Sequence, residues 1–185
     1  MAGTDSRPRG SAARPAPTER HWRRVVADLR RLRPRTRSVA RRLGESLVHL
    51  GDVLYGQGRY QEAEPIFLDA IAALEQGFGA SHLAVATALN NLAVCYKYLA
   101  RFTDARPLYQ RALTITEQAL GPSHPEVATI YHNLGGLEHA AGNWMRGEPF
   151  ARKSVRIRTR ALGPQHPDVA ADMTALAALL DQQKK

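Results

Sequence analysis

Large apolar residues recur along this chain at spacings of three and four. Leu89, Leu92 and Tyr96 form one such set, and Leu108, Ala112, Ile115 and Ala119 form another after a break at Arg101-Phe102. That is the period of one helix face. A longer period is laid over it. Leu50, Leu92, Leu134 and Leu176 stand 42 residues apart, as do Tyr60, Phe102 and Trp144, and Pro65, Pro107 and Pro149. The strings GASHLAVAT from Gly79, GPSHPEVAT from Gly121 and GPQHPDVAA from Gly163 keep the same interval. Internal periods of this length belong to stacked units that cannot bury their apolar faces alone.

Each unit predicts two helices and a loop. Thr103 is placed to cap the second helix, with Asp104 in the first turn where a negative charge suits the dipole. Pro107 then falls early enough for its missing N–H to matter little. Gly121 stops this helix, Pro122 cannot continue it, and Pro125-Glu126 opens the next. Small residues share register positions where helices must cross closely: Gly51, Ala93, Gly135 and Ala177; Ala63, Ala105 and Gly147; Ala70, Ala112 and Ser154. The pattern predicts an all-α solenoid of antiparallel helix pairs.

Leu92-Ala93, Tyr96, Ala105, Tyr109 and Ala112 together resemble a tetratricopeptide repeat. The 42-residue spacing, Asn90-Asn91-Leu92 and the linker Ala119-Leu120-Gly121-Pro122-Ser123-His124-Pro125 resemble more narrowly the repeats of kinesin light chains and their bacterial relatives. The resemblance spans residues 43–181, three helix pairs and one further helix, and implies a right-handed solenoid. In the third repeat Glu138 stands where the pattern has an aromatic and Gly147 where it has Ala, which bears on how that repeat packs.

Charge divides the chain. Residues 1–42 hold thirteen Arg against Asp5, Glu19 and Asp28, whereas the remainder is nearly neutral, so the formal net charge of +9 belongs to an appendage. Residues 1–20 mix Pro, Gly, Ala and Arg with almost no large apolar side chains, and are expected to be disordered. Residues 21–42 read as a basic amphipathic helix and linker, with Trp22, Val25, Val26, Leu29 and Leu32 at helical spacing. Such a helix suits an anionic membrane, nucleic-acid phosphate, or the end of the solenoid. Val25, Leu29 and Leu32 lie in phase with Phe67, Ile71 and Leu74, favouring a degenerate cap, with His21 and Asp28 at the small-residue positions. Residues 182–185 read as a short tail.

No stretch approaches the roughly 20 apolar residues of a membrane-spanning helix. The single cysteine, Cys95, cannot form an internal disulfide, and no secretory signal is evident, so the expected location is the cytoplasm. Catalytic chemistry finds no foothold: nucleophile–base pairs, metal clusters and phosphate loops are missing at usable spacing. Gly56-Gln57-Gly58 is a turn without the Lys-Ser/Thr of a phosphate loop. His82, His124 and His166 repeat one linker position, a repeat apart in space, and are expected to bond local backbone. His132 and His139, seven apart, lack the i,i+4 spacing of a metal pair. Cys95 shares its register with Val53, Leu137 and Leu179, a core position. The expectation is a non-catalytic scaffold without cofactor or metal.

By the resemblance, the first helix of each pair lines a concave groove. Its candidate residues are His49, Thr87, Asn90, Asn91, Lys97, Thr129, His132 and Asn133, with Glu45, Asp52, Tyr55 and His139 alongside. The expected ligand is a peptide or protein segment, gripped by Asn91 and Asn133, since a carboxamide both donates to and accepts from a peptide backbone. The alternative role for these asparagines is to bridge helices within the stack. A C-terminal carboxylate is not expected, because Val48, Asp52, Thr129 and Asn133 stand where a carboxylate clamp would carry Lys, Asn, Lys and Arg. Arg146, Arg152, Lys153, Arg156, Arg158 and Arg160 are expected to form a solvated convex face. Val169, Met173, Leu176, Leu179 and Leu180 leave the last helix apolar on more than one side, and a second copy or another protein is expected to cover it.

Overall fold

A computed structural model describes residues 17–32 and 36–184. Residues 1–16 of the start expected to be disordered, and Lys185 of the expected 182–185 tail, fall outside those residues; Glu19 and Arg20 are helical, and so is Gln182. Among the described residues eight helices and no strands occur: α1 (Glu19–Arg31), α2 (Arg37–Gly56), α3 (Tyr60–Phe78), α4 (Leu83–Tyr98), α5 (Phe102–Leu120), α6 (Pro125–Ala140), α7 (Trp144–Leu162) and α8 (Pro167–Gln182). The largest contacts join α2 to α3, α4 to α5 and α6 to α7, and each pair packs on the next. This is the all-α repeat solenoid that the 42-residue phase predicts.

The joints are built from the same motif three times. After α2, α4 and α6 the chain turns through Gly58, Ala100 and Gly142, at φ +74°, +57° and +74°. The N–H groups of Arg59, Arg101 and Asn143 then donate back to the carbonyls of Leu54, Tyr96 and Glu138 at 3.0, 2.8 and 2.8 Å. A left-handed residue followed by this backward bond satisfies carbonyls that the helix end leaves orphaned. Gly79, Gly121 and Gly163, at φ +99°, +87° and +84°, end the second helices as the linker pattern predicts.

Thr103 does not cap α5. The helix begins at Phe102 with Arg101 as its cap residue, and that residue makes no side-chain capping bond. The turn motif has already fixed the chain direction at Arg101, so the helix starts earlier than Thr103. Pro107 is consequently its sixth residue and removes a bond that an N–H there would have made. Proline recurs at the same place in α3 and α7.

The core is one continuous cluster of interlocked large and small side chains. Leu50, Leu92 and Leu134 are each 2 % exposed or less, and Ala63, Ala70, Ala93, Ala105 and Ala112 are fully buried. The glycines of this set are fitted to their neighbours: a Cβ on Gly51 would lie 2.5 Å from the Phe67 ring, and one on Gly147 would lie 2.8 Å from Leu179 Cδ2. Gly147 thus replaces the expected Ala because α8 approaches α7 closely. Ala119, placed on the apolar face by its spacing, is exposed.

At the two ends burial is less complete than in between. Helix α1 packs on α2 with Val26 and Leu29 buried and Val25 half-buried against the core, while Leu32, which follows the end of the helix on extended backbone, is 46 % exposed. Helix α2 starts at Arg37, six residues before the predicted boundary, with Thr36 Oγ1 accepting from the Val39 N–H at 3.3 Å. On α8, Val169 and Leu179 are buried but Met173 is 56 % exposed. No helix among the described residues is long and apolar enough to cross a membrane.

Candidate peptide-binding groove

First helices set side by side turn equivalent residues toward one another across the repeat interval. This places Asp52 on α2, Asn90 and Asn91 on α4, and Asn133 on α6 along one wall. Asn133 Nδ2 donates to Asn90 Oδ1 at 2.8 Å, Asn90 Nδ2 donates to Asn91 Oδ1 at 3.2 Å, and Asn91 Nδ2 donates to Asp52 Oδ1 at 2.8 Å. The bridging role therefore holds in the free protein, since this chain of amides links three helices. Each amide uses one of its two donors in it.

The chain borders an open cavity of about 370 Å³ lined by Asp52, Tyr55, Asn91, Val94, Lys97, Tyr98, His132 and Asn133. Burial raises the Asp52 carboxyl from its ordinary value, with the Asn91 bond and then the field of His49 opposing. Burial, and then Tyr98, pushes the Tyr55 phenol up to about 12, so it stays a neutral hydroxyl. Tyr60 and Tyr98 stack at 4.7 Å between ring centroids, and Lys97 Nζ lies 4.9 Å from the Tyr98 centroid.

Of the eight candidates, Asn91, Lys97, His132 and Asn133 meet in this cavity, and Asn90 joins them through the amide chain. Thr87, Asn90 and Thr129 line a smaller cleft of about 60 Å³ between α4 and α6. His49 lies apart, its ring stacked on Trp22 of α1 at 4.5 Å. Tyr98 was not foreseen as a groove residue; its register partners, Gly56 and Ala140, carry no aromatic ring that would signal it.

His132 and Thr129 reach beyond the groove. Asp172 of α8, 1 % exposed, accepts from Ser154 Oγ at 2.6 Å and from His132 Nδ1 at 2.7 Å. A carboxylate can only accept, so the proton of that imidazole sits on Nδ1. Arg158 Nη2 donates to Thr129 Oγ1 at 2.8 Å, and its Nε lies 3.4 Å from Asp172 Oδ2. The expected solvated basic face of α7 is thus corrected at Arg158, which is 7 % exposed and paired inside. Arg146, Arg152, Lys153, Arg156 and Arg160 are exposed. On α1, Arg23, Arg30 and Arg31 also pair with carboxylates, those of Glu19, Asp69 and Asp28.

The linker histidines bond local backbone. Nδ1 of His82, His124 and His166 accepts from the N–H two residues on, at 3.2 Å in each case, and caps α4, α6 and α8. Cys95 is fully buried, and burial pushes its thiol up to about 12. Among the described residues no group of three or more His, Cys, Asp or Glu could hold a metal ion.

Stacked helix pairs with a lined inner wall define an α-solenoid repeat protein. The tetratricopeptide repeat profile matches residues 42–118, 98–144 and 126–185, and the chain belongs to that family. Its fold is similar to that of BtubC (BKLC) from P. vanneervenii, at 23% identity and TM-score 0.79, over 90% of this chain and 65% of that one. The chain therefore spans just under two thirds of that protein. A kinesin light chain-type protein of nearly identical TPR-like repeats from Podosopora anserina aligns at 20% identity and TM-score 0.72, over 90% of this chain and 77% of its own. A singly substituted form of that protein gives a TM-score of 0.75 at the same identity and coverage. No curated protein matches. Tetratricopeptide repeats are in general modules of protein–protein interaction, and the likeness to these solved structures is one of fold.

Proposed function

We propose that this protein is a non-catalytic scaffold that holds an extended peptide segment of a partner protein in the groove of α2, α4 and α6. The carrying observation is the amide chain Asn133–Asn90–Asn91–Asp52 beside the cavity. Its internal bonds fix each carboxamide plane, while one N–H of each amide and the Asn133 carbonyl remain for a ligand backbone. Donors held in place before binding lose little freedom on binding, which favours affinity.

The test uses immobilised hexapeptide mixtures and the full chain. The intact protein retains a subset of the mixtures, and Asn91→Ala/Asn133→Ala weakens retention about tenfold, equivalent to roughly 1.4 kcal/mol. Thermal melts of both proteins separate a groove effect from a folding defect. Unchanged retention by a folded double variant would leave the asparagines as helix bridges only.

A further inference from the structure

In a chain that repeats one unit, side chains that serve the fold recur at the 42-residue interval. Departures that gather in one place serve something else. A cleft of about 230 Å³, apart from the groove and set between the α5–α6 linker and α7, gathers several of them. Tyr131 stands there where the earlier repeats have Leu47 and Leu89. Arg156 replaces Ala72 and Thr114, and Arg160 replaces Gln76 and Gln118.

The second repeat ties off the equivalent place internally, with Arg111 donating to Glu75 and to the Ala80 carbonyl. One repeat on, Lys153 and Glu117 hold the positions of Arg111 and Glu75, and Tyr131 has come between them. Its hydroxyl donates to Glu117 Oε1 at 3.0 Å and accepts from Lys153 Nζ at 3.0 Å. Lys153 therefore borders the cleft without a carboxylate partner among the described residues, and so do Arg156 and Arg160. Arg146, exposed on the same helix, makes no ion pair among the described residues either, so a missing partner alone marks nothing. Convergence is what marks this cleft. Lys153, Arg156 and Arg160 stand three and four residues apart on one face of α7, where like charges repel and cost stability. Glu117, in the same wall, offsets one of the three, which leaves an excess of two positive charges.

We propose that this cleft binds a phosphorylated side chain of a partner protein, its phosphate monoester held by Lys153, Arg156 and Arg160 beside Ser123. Such a group carries roughly −1.5 to −2 charge at neutral pH, which matches the excess, whereas a carboxylate matches half of it. Arginine forks bond two oxygens of a phosphate at once. The cleft is smaller than the roughly 300–1,000 Å³ of cavities that enclose whole small ligands, which suits one group presented on a chain and not a nucleotide. Pro122 and Ile157 give the carbon atoms of that side chain an apolar wall. Tyr131 acts as a positioning residue, holding Glu117 and Lys153 apart. The cleft shares no lining residue with the cavity beside the amide chain, so it stands or falls separately from the groove.

The experiment titrates the isotope-labelled full chain with acetylated, amidated hexapeptide mixtures whose one fixed residue is phosphoserine, serine or glutamate, and separately with inorganic phosphate. Neutral pH and ionic strength are held constant, and NMR follows the Ser123 amide and the Nε–H groups of Arg156 and Arg160. The phosphoserine mixture moves these signals with a midpoint about tenfold below those of the glutamate mixture and of inorganic phosphate, and the serine mixture does not move them. Arg156→Thr/Arg160→Gln, which installs the residues of the second repeat, raises the phosphoserine midpoint about tenfold at the Ser123 amide, and Arg160→Gln alone about threefold. Arg146→Gln, off the cleft, leaves it within about twofold. Thermal melts check folding; the double variant removes like charges from one helix face, so its melting temperature is equal to or above that of the parent. Equal midpoints for phosphoserine and glutamate, or an equal loss in Arg146→Gln, would reduce the site to a diffuse basic face and overturn the proposal. A midpoint for inorganic phosphate equal to that of the phosphoserine mixture would make it a site for the free anion, and unmoved signals would leave no site; either result overturns it as well.

Discussion

At the scale of single residues, the repeat exposes its own exceptions. Ala100 occupies the left-handed turn position that Gly58 and Gly142 fill in the neighbouring repeats, at φ +57°. An L-residue with a Cβ pays there what glycine does not. Ala100→Gly is therefore expected to raise stability by about 0.5–1 kcal/mol, even though glycine widens the unfolded ensemble. Urea melts of the two proteins check this, and a loss of stability would mean that the turn holds no strain. The glycine stops at Gly121 and Gly163, the histidine caps and the buried Cys95 were all legible from sequence, because each depends only on near neighbours or on register. Thr103 misled for a physical reason: the backward bond from Arg101 N–H to Tyr96 carbonyl sets the helix start before any side chain can.

At the scale of the element, the departure at Glu138 proves to be an exchange of chemistry at a fixed position. In the second repeat Tyr96 OH donates to Glu64 at 3.1 Å, and Arg101 pairs with the same carboxylate at 2.7 Å. One repeat on, Glu138 takes the place of Tyr96 and Arg106 that of Glu64. They pair at 2.7 Å, with Asn143 donating to Glu138 at 3.0 Å. Glu138 is 1 % exposed, so the ion pair is buried on one side and relies on its partner. Arg106→Glu alone sets two carboxylates together and is expected to destabilise by about 3 kcal/mol or more. Arg106→Glu with Glu138→Tyr rebuilds the tyrosine–carboxylate contact of the second repeat, with Asn143 in the place of Arg101, and should recover about half of that loss in denaturant unfolding. If the two changes are simply additive, the residues are not acting as a pair. The sequence shows the departure from pattern but not its compensation, which lies 32 residues away and across a helix interface. The groove followed the same rule: register located Asn91 and Asn133, whereas the stacking of Trp22 on His49 depends on α1, which lies outside the repeat.

At the scale of the whole molecule, a solenoid holds together through contacts between neighbouring units, so its parts can open separately. Helix α8 is joined to the rest by Val169 and Leu179 and by the buried group of Asp172, Arg158, Ser154 and His132. That group also connects α8 to the groove, because His132 lines the cavity and Thr129 accepts from Arg158. Asp172→Ala would leave Arg158, 7 % exposed, without its buried counter-charge and with only the exposed Asp168 carboxylate 3.7 Å away, a change that costs on the order of 3 kcal/mol. The loss should appear locally. Amide hydrogen exchange is expected to accelerate through α8 and the facing parts of α6 and α7, while α2 to α5 keep the protection of the parent. Protection lost evenly from α2 to α8 would show instead that the repeats open as one cooperative unit. The local outcome would also bear on binding, because freeing His132 alters one wall of the cavity and leaves Asp52 and Asn91 in place. Peptide affinity should then fall less in Asp172→Ala than in Asn91→Ala/Asn133→Ala, since the amides proposed to meet the ligand backbone are anchored on α4, which α8 does not touch, and on α6, which it flanks.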